Sequence, residues 1–173
     1  MTERTIQNAL WWHLHQRGHQ LQCPNYEPKN WWNCDMFSVT KAGFMVEHEI
    51  KISRGDFRHD VNKDKLMTQP NGWRKPENKH DKLLLADENG PSRFFYVVPA
   101  DLVKVEEVPE WAGLIYAHDL SKHEYEYKQR LGVTFSIAKD APRLHSVKVA
   151  PAVLDHVRSV FYWRFWNERR RKK

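Results

Sequence analysis

Three ionisable residues in this sequence have the types and spacing needed to hydrolyse a phosphodiester: Asp35, Glu49 and Lys51. Glu49 and Lys51 are two residues apart, and side chains along a strand alternate between faces, so an extended backbone puts carboxylate and ammonium on one side. Asp35 opens an earlier apolar run, and pairing of the two runs as a hairpin would bring two carboxylates together from adjacent strands. Such a pair can share a hard divalent cation, Mg2+ or Mn2+, through oxygen ligands. The Ile50 carbonyl is a further donor, and waters and a substrate phosphate complete the shell. A lysine beside the cation can orient or help deprotonate an attacking water and offset charge in the transition state.

That chemistry needs elements to hold it. Thr2 to Arg17 carries Ile6, Leu10 and Leu14 at four-residue spacing behind a Thr2 cap, with Gly18 as a stop, which predicts an amphipathic helix. Pro24, Asn25, Pro28 and Asn30 break any period between His19 and Asn33, so an irregular loop is expected there, with Trp31 and Trp32 seeking cover. Cys34 to Thr40 and Phe44 to Ile52 read as strands joined by Lys41-Ala42-Gly43, a hairpin-length turn. In the second run Met45, Glu47, Glu49 and Lys51 share one face, while Phe44, Val46, His48, Ile50 and Ile52 share the other. One face is therefore core and the other mostly ionisable.

Ser53 with Asp56 has the form of a helix start, and a weak stripe of Phe57, Val61 and Leu66 or Met67 predicts a helix to about residue 67. Turns over Gln69 to Pro76, a short helix over Glu77 to Ala86 and a turn over Asp87 to Ser92 follow. Phe94 to Val98, ended by Pro99, is continuous enough for a strand buried on both faces, which makes a βαβ unit with the Glu49 strand. Ala112 to Ala117 and Val133 to Ile137 read as further strands, with a polar stretch from His118 to Arg130 between them. A last helix runs from Pro151 to about Arg169 with Leu154, Val157, Phe161 and Phe165 along a face.

The 173 residues, 40% hydrophobic and 29% charged, suit one domain with a real core. We expect residues 1–163 to form it and residues 164–173 to be a basic end. No run approaches the roughly 18 to 20 apolar residues of a membrane span, and no apolar segment follows Met1-Thr2-Glu3-Arg4. The expectation is a cytoplasmic protein with no membrane partner. Cys23 and Cys34 can form one bridge at most, and they lack the second pair that a structural zinc site requires. The net charge of +6 is local: the last sixteen residues hold seven basic residues against Glu168, and the rest of the chain is balanced. The body therefore gives no global sign of a basic nucleic-acid cleft.

The order helix, hairpin, Asp35, thirteen residues, Glu49-Ile50-Lys51, helix, strand resembles the PD-(D/E)XK nuclease superfamily. The phrase from Glu49 to Phe57 is similar to its MmcB-like DNA-repair branch and to related phage proteins. The resemblance covers roughly residues 3 to 117. It implies a restriction-endonuclease-like α/β fold: a mixed central sheet flanked by helices, an αβββαβ-type core, with a C-terminal helix beyond it. It also implies Mg2+- or Mn2+-dependent DNA endonuclease activity in repair, recombination or phage DNA metabolism, in a bacterial or phage-infected cell, and a homodimer where two strands are cut. Asp35 and Glu49 would bind metal, Lys51 would be catalytic, and Glu3 matches a helix glutamate that some members add to the metal site. Cys34 stands where the motif's name has proline, a departure that many members share.

Each residue also has a plainer reading. Glu47, Glu49 and Lys51 could be the solvated face of an edge strand, and Asp35 a turn residue. Glu47 reads better as a salt-bridge partner than as a ligand, Ser53 with Asp56 as a capping box, His48 as a core histidine, and Glu3 equally as a first-turn acid. The alternative function is a catalytically inactive nuclease-fold module that binds DNA or protein. Arg58, Lys63, Lys65 and Lys79 are the expected DNA contacts, within a local basic excess that includes Arg74, Lys75 and Lys82. Trp11, Trp12, Trp31, Trp32 and Trp73 could stack on bases, though burial is expected for most. The aromatic and basic end from Arg164 to Lys173 suits a nucleic-acid clamp, an anionic surface or a frayed helix equally.

Overall fold

The structure, a computed structural model, describes residues 1–69, 71–120 and 132–171. Most of the polar stretch expected between His118 and Arg130, and Lys172 and Lys173 of the basic end, lie outside the described residues.

Helix α1 (Glu3–Gln16) begins as expected at Thr2, whose hydroxyl accepts from the Thr5 N–H, and it buries Ile6, Ala9, Leu10 and Leu14. The expected loop then proves to contain a strand, β1 (Leu21–Tyr26), antiparallel to β2 (Cys34–Val39) with Cys23 opposite Phe37. Pro24 tolerates this because β1 is the outermost strand, where a missing N–H donor does little harm. Strand β2 pairs antiparallel with β3 (Met45–Ile50), and Gly43 supplies the positive φ of their turn.

After β3 the chain forms α2 (Arg54–His59), capped by the Ser53 hydroxyl on the Asp56 N–H, and then a 3-10 turn over Asp60–Asn62. The expected helix does not continue to residue 67. Asp60 is buried and bound to several side chains from other elements, which fixes the backbone there. Strands β4 (Asp64–Thr68) and β5 (Arg74–Asn78) form a separate hairpin in place of the end of that expected helix and the expected turns, and Asn78 caps α3 (Lys79–Leu84). The crossover returns through β6 (Arg93–Pro99), parallel to β3, and continues to β7 (Ala112–Asp119), parallel to β6, and β8 (Val133–Lys139), antiparallel to β7. The result is a mixed six-stranded sheet in the order β1-β2-β3-β6-β7-β8, flanked by helices.

The central strands β2, β3, β6 and β7 are buried on both faces, while β8 is largely half-buried or exposed. Helix α1 covers Met36, Val46, Ile50, Phe95, Val97 and Ile115 on one side. On the other, Trp31, Trp32, Phe37, Met45, Phe94, Tyr96 and Leu114 form a second core, against which the C-terminal helix α4 (Pro151–Arg171) sets Val157 and the half-buried Leu154 and Phe161. Phe165, expected on that apolar stripe, is instead exposed. The face of β3 expected to be ionisable is ionisable and also buried. Among the described residues no helix is long and apolar enough to cross a membrane.

Candidate functional site

The β2–β3 register, Met36 opposite His48 and Phe37 opposite Glu47, runs on to set Asp35 beside Glu49 at one end of the hairpin. Alternation keeps Asp35, Glu47, Glu49 and Lys51 on the same side. Asp35 is held twice. Its Oδ2 accepts from the Ile50 N–H at 2.8 Å, and its backbone carbonyl accepts from Gln7 Nε2 at 2.7 Å. The same Gln7 amide donates to Asn25 Oδ1 at 3.2 Å, so α1, β1 and β2 converge on Asp35.

Glu49 is only 1% exposed and is surrounded by ammonium groups. Lys51 Nζ lies 2.9 Å from Oε1, Lys63 pairs with the same oxygen, and Lys79 Nζ lies 2.8 Å from Oε2. Lys51 also reaches Asp60 at 2.7 Å, and Lys63 reaches it at 3.1 Å. Tyr96 donates to the other Asp60 oxygen at 2.8 Å, and His80 sits against that oxygen at 2.9 Å. Lys79 continues to Glu47 at 2.5 Å, and Glu47 accepts from the Trp31 indole at 2.7 Å. The Glu-x-Lys motif is thus the middle of a buried charge network reaching from Trp31 to His80.

The electrostatics follow from this packing. Burial, reinforced by the charge of Glu49, pushes the Asp35 carboxyl up to about 7 against the Ile50 hydrogen bond. Burial opposes charge on Glu49 as well, but Lys79, Lys63 and Lys51 outweigh it and hold that carboxyl at about 2. Glu47, fully enclosed, is raised by burial in spite of Lys79. Lys51 loses solvation, yet Glu49 and Asp60 keep it protonated beyond the ordinary lysine range. Asp35 and Glu49 therefore repel one another.

Asp35, Glu49, Ile50 and Lys51 are brought together as the spacing predicted. Glu3 is exposed in the first turn of α1, and Gln7, one turn later, is the helix residue that touches Asp35. Of the expected DNA contacts, Lys79 is corrected: it is completely buried between Glu47 and Glu49, where no phosphate reaches it. Lys63 and Lys65 are committed to internal partners, Lys65 to Glu27 and the Trp31 carbonyl, while Arg58 is exposed on α2. Lys82 is paired with Glu77 and Asp87. The expectation that most of the five singled-out tryptophans are core is also corrected: Trp31 and Trp32 are, but Trp11, Trp12 and Trp73 are exposed. Gln7, Asp60 and His80 escaped sequence reasoning because no spacing relates them to the motif. Glu47 and His48 occupy the salt-bridge and core positions expected of them.

Among the described residues no group of three or more His, Cys, Asp or Glu is gathered as a set of metal ligands. No protein-family model matches the chain, and no curated protein does. A solved structure, the SPO1766 protein of unknown function from Silicibacter pomeroyi, is similar at 19% identity and a TM-score of 0.56. The match covers 99% of this chain and 88% of that one, and at this identity it speaks for the fold alone.

Proposed function

We propose that the chain is a metal-dependent DNA endonuclease of restriction-endonuclease-like architecture. The observation that carries this reading is Asp35 facing Glu49 across a hairpin with Lys51 beside them, on the strand that leads into the crossover. The element order supports it: α1, the antiparallel meander β1-β2-β3, helices α2 and α3 within the crossover, then β6 parallel to β3, which is the αβββαβ order of that family.

The donor set fits a hard divalent cation. Two oxygen ligands repel one another, and the Ile50 backbone at the strand end is tied to one of them, so Asp35, Glu49 and the Ile50 carbonyl would hold Mg2+ or Mn2+ with water and phosphate completing the shell. When bound, the cation supplies Lewis-acid polarisation of a phosphoryl oxygen and a water of lowered pKa. The chain's own residues do the rest. Lys51, held between Glu49 and Asp60, remains an ammonium, so it positions the attacking water and offsets charge rather than accepting a proton. Gln7 and the Ile50 N–H fix the direction of Asp35. Lys63, the half-exposed one of the three lysines on Glu49, is the group that can swing aside to admit the ion.

A second reading, a nuclease-fold module that binds without cutting, is favoured by one observation: both oxygens of Glu49 are already satisfied by lysines. A gel assay on supercoiled, linear, single-stranded and branched DNA with Mg2+, Mn2+ or EDTA separates the two. Cleavage that needs metal and disappears in Asp35→Asn and Lys51→Ala supports the enzyme. Folded protein that binds DNA without cutting it, and whose melting temperature Mn2+ does not raise, supports the module.

A further inference from the structure

Helix α4 has two dissimilar sides. Val153, Leu154, Val157, Val160 and Phe161 turn toward the sheet, with Tyr26 Oη on His156 Nδ1 at 2.9 Å. At 3.6 residues per turn, Tyr162, Trp163 and Trp166 fall on the opposite arc together with Arg169 and Arg170, and Phe165 stands at its flank. All four rings are exposed, from 41% to 57%, and neighbouring rings meet edge to face, as Tyr162 with Trp163 and Phe165 with Trp166. The Arg169 guanidinium lies over Phe165 and Trp166, 5.7 and 6.0 Å from the ring centroids.

We infer that this face of α4 grips unpaired nucleic acid, its rings stacking on splayed bases and its arginines pairing with the backbone. This deepens the nuclease reading and rests on it for the choice of polyanion. Three observations favour that occupant. The whole net charge of the chain resides in its last sixteen residues. The lysines at the candidate site are held in ion pairs, which leaves the arginines of α4, with Arg58 on α2, to offer positive charge outward near it. The helix also adjoins the site: Arg164 donates to the carbonyls of Pro24 and Asn25 at 2.6 Å, and the Asn25 side chain shares with Asp35 the amide of Gln7. Aromatic faces interleaved with arginine suit bases freed from a duplex, because a duplex offers side chains only groove edges and phosphates. A helix lying on a lipid surface would separate its charged face from its apolar one. Here the charges stand among the rings, and the aliphatic side is already used by the sheet.

The test is fluorescence anisotropy of the full chain in EDTA with a labelled single-stranded oligodeoxynucleotide and with the duplex of the same sequence. The comparison proteins are Trp163→Ala/Trp166→Ala and Arg169→Gln/Arg170→Gln, all at exposed positions, with circular dichroism as the check that each is folded. We expect the single strand to bind more tightly than the duplex. The tryptophan pair should weaken single-strand binding by about tenfold or more and change duplex binding little. The arginine pair should flatten the logarithmic salt dependence by roughly one to two. Equal binding of single strand and duplex, or variants that bind like the parent, overturns the inference. So does loss in the tryptophan pair of binding to phosphatidylserine vesicles alone. The two readings fail separately. Loss of single-strand binding in these variants, with no cleavage by the parent protein, leaves the grip standing and removes the nuclease. Metal-dependent cleavage with unaltered binding in both variants does the reverse.

Discussion

The most consequential single residue is Lys79, whose ammonium is enclosed between Glu47 and Glu49 with no exposure to water. A buried ion pair contributes little net stability, but breaking one is costly because the remaining charge has nowhere to go. Lys79→Met strands the Glu47 carboxylate, takes one of three ammonium groups from Glu49, and should lower stability in urea by about 3 to 5 kcal/mol. Adding Glu47→Gln removes one stranded charge and keeps an acceptor for the Trp31 indole. The double variant should therefore recover part of the loss, a non-additivity that a double-mutant cycle reads directly. Nothing in the sequence marks Lys79 for the interior. It sits in a run of charges, Lys75, Glu77, Lys79, Asp81 and Lys82, and only the tertiary approach of β3 distinguishes it from its neighbours. Asp35, Glu49 and Lys51 were legible because strand alternation and hairpin pairing are local rules, whereas the other partners of Glu49, Lys63 and Lys79, come from distant points of the crossover.

At the scale of elements, what could be read was what periodicity dictates. Helix α1, the β2–β3 hairpin and the buried β6 follow from their patterns, with Thr2 and Ser53 capping as expected. Strand β1 was hidden by Pro24 and by Asn25, whose φ is +48°, and an edge position excuses both. The β4–β5 hairpin was hidden by a weak apolar stripe that happens to have helical spacing, and the fold ends that helix where Asp60 is captured. The turn before β6 carries a packing constraint that reaches the site. A Cβ on Gly90 would lie 2.4 Å from the Trp31 ring, the same indole that holds Glu47. Gly90→Ala should cost at least about 1 to 3 kcal/mol in a urea titration, as overpacking does. Gly55→Ala in α2 meets only the Ser53 hydroxyl at ordinary contact distance and should raise stability by up to about 1 kcal/mol.

For the molecule as a whole, acid stability depends on histidines as well as carboxylates. Burial pushes His48 down to about 3 and His19 to about 4, from the ordinary 6.5. Both are neutral when folded and take up protons when unfolded, so their contribution is complete above pH 6.5 and is lost as pH falls toward 3. Asp35, raised from 3.8 to about 7, has the opposite sign over its own interval, because there the folded state holds the extra proton. Comparison of the parent with His48→Leu isolates the histidine. Between pH 6 and 4 the parent's stability should change more steeply by up to about 1.4 kcal/mol per pH unit, measured by urea unfolding at each pH. Parallel profiles would show that His48 is solvated.

Arg164 has a further role that follows from where it sits. Its guanidinium occupies two carbonyls of the strand that ends the sheet, positions at which another chain could otherwise add a strand. The C-terminal helix therefore acts as a guard against self-templating. Arg164→Ala should retain its unfolding free energy in urea to within about 1 kcal/mol yet form thioflavin-positive fibrils on concentration, at a rate set by how long that edge stands open rather than by the stability of the fold.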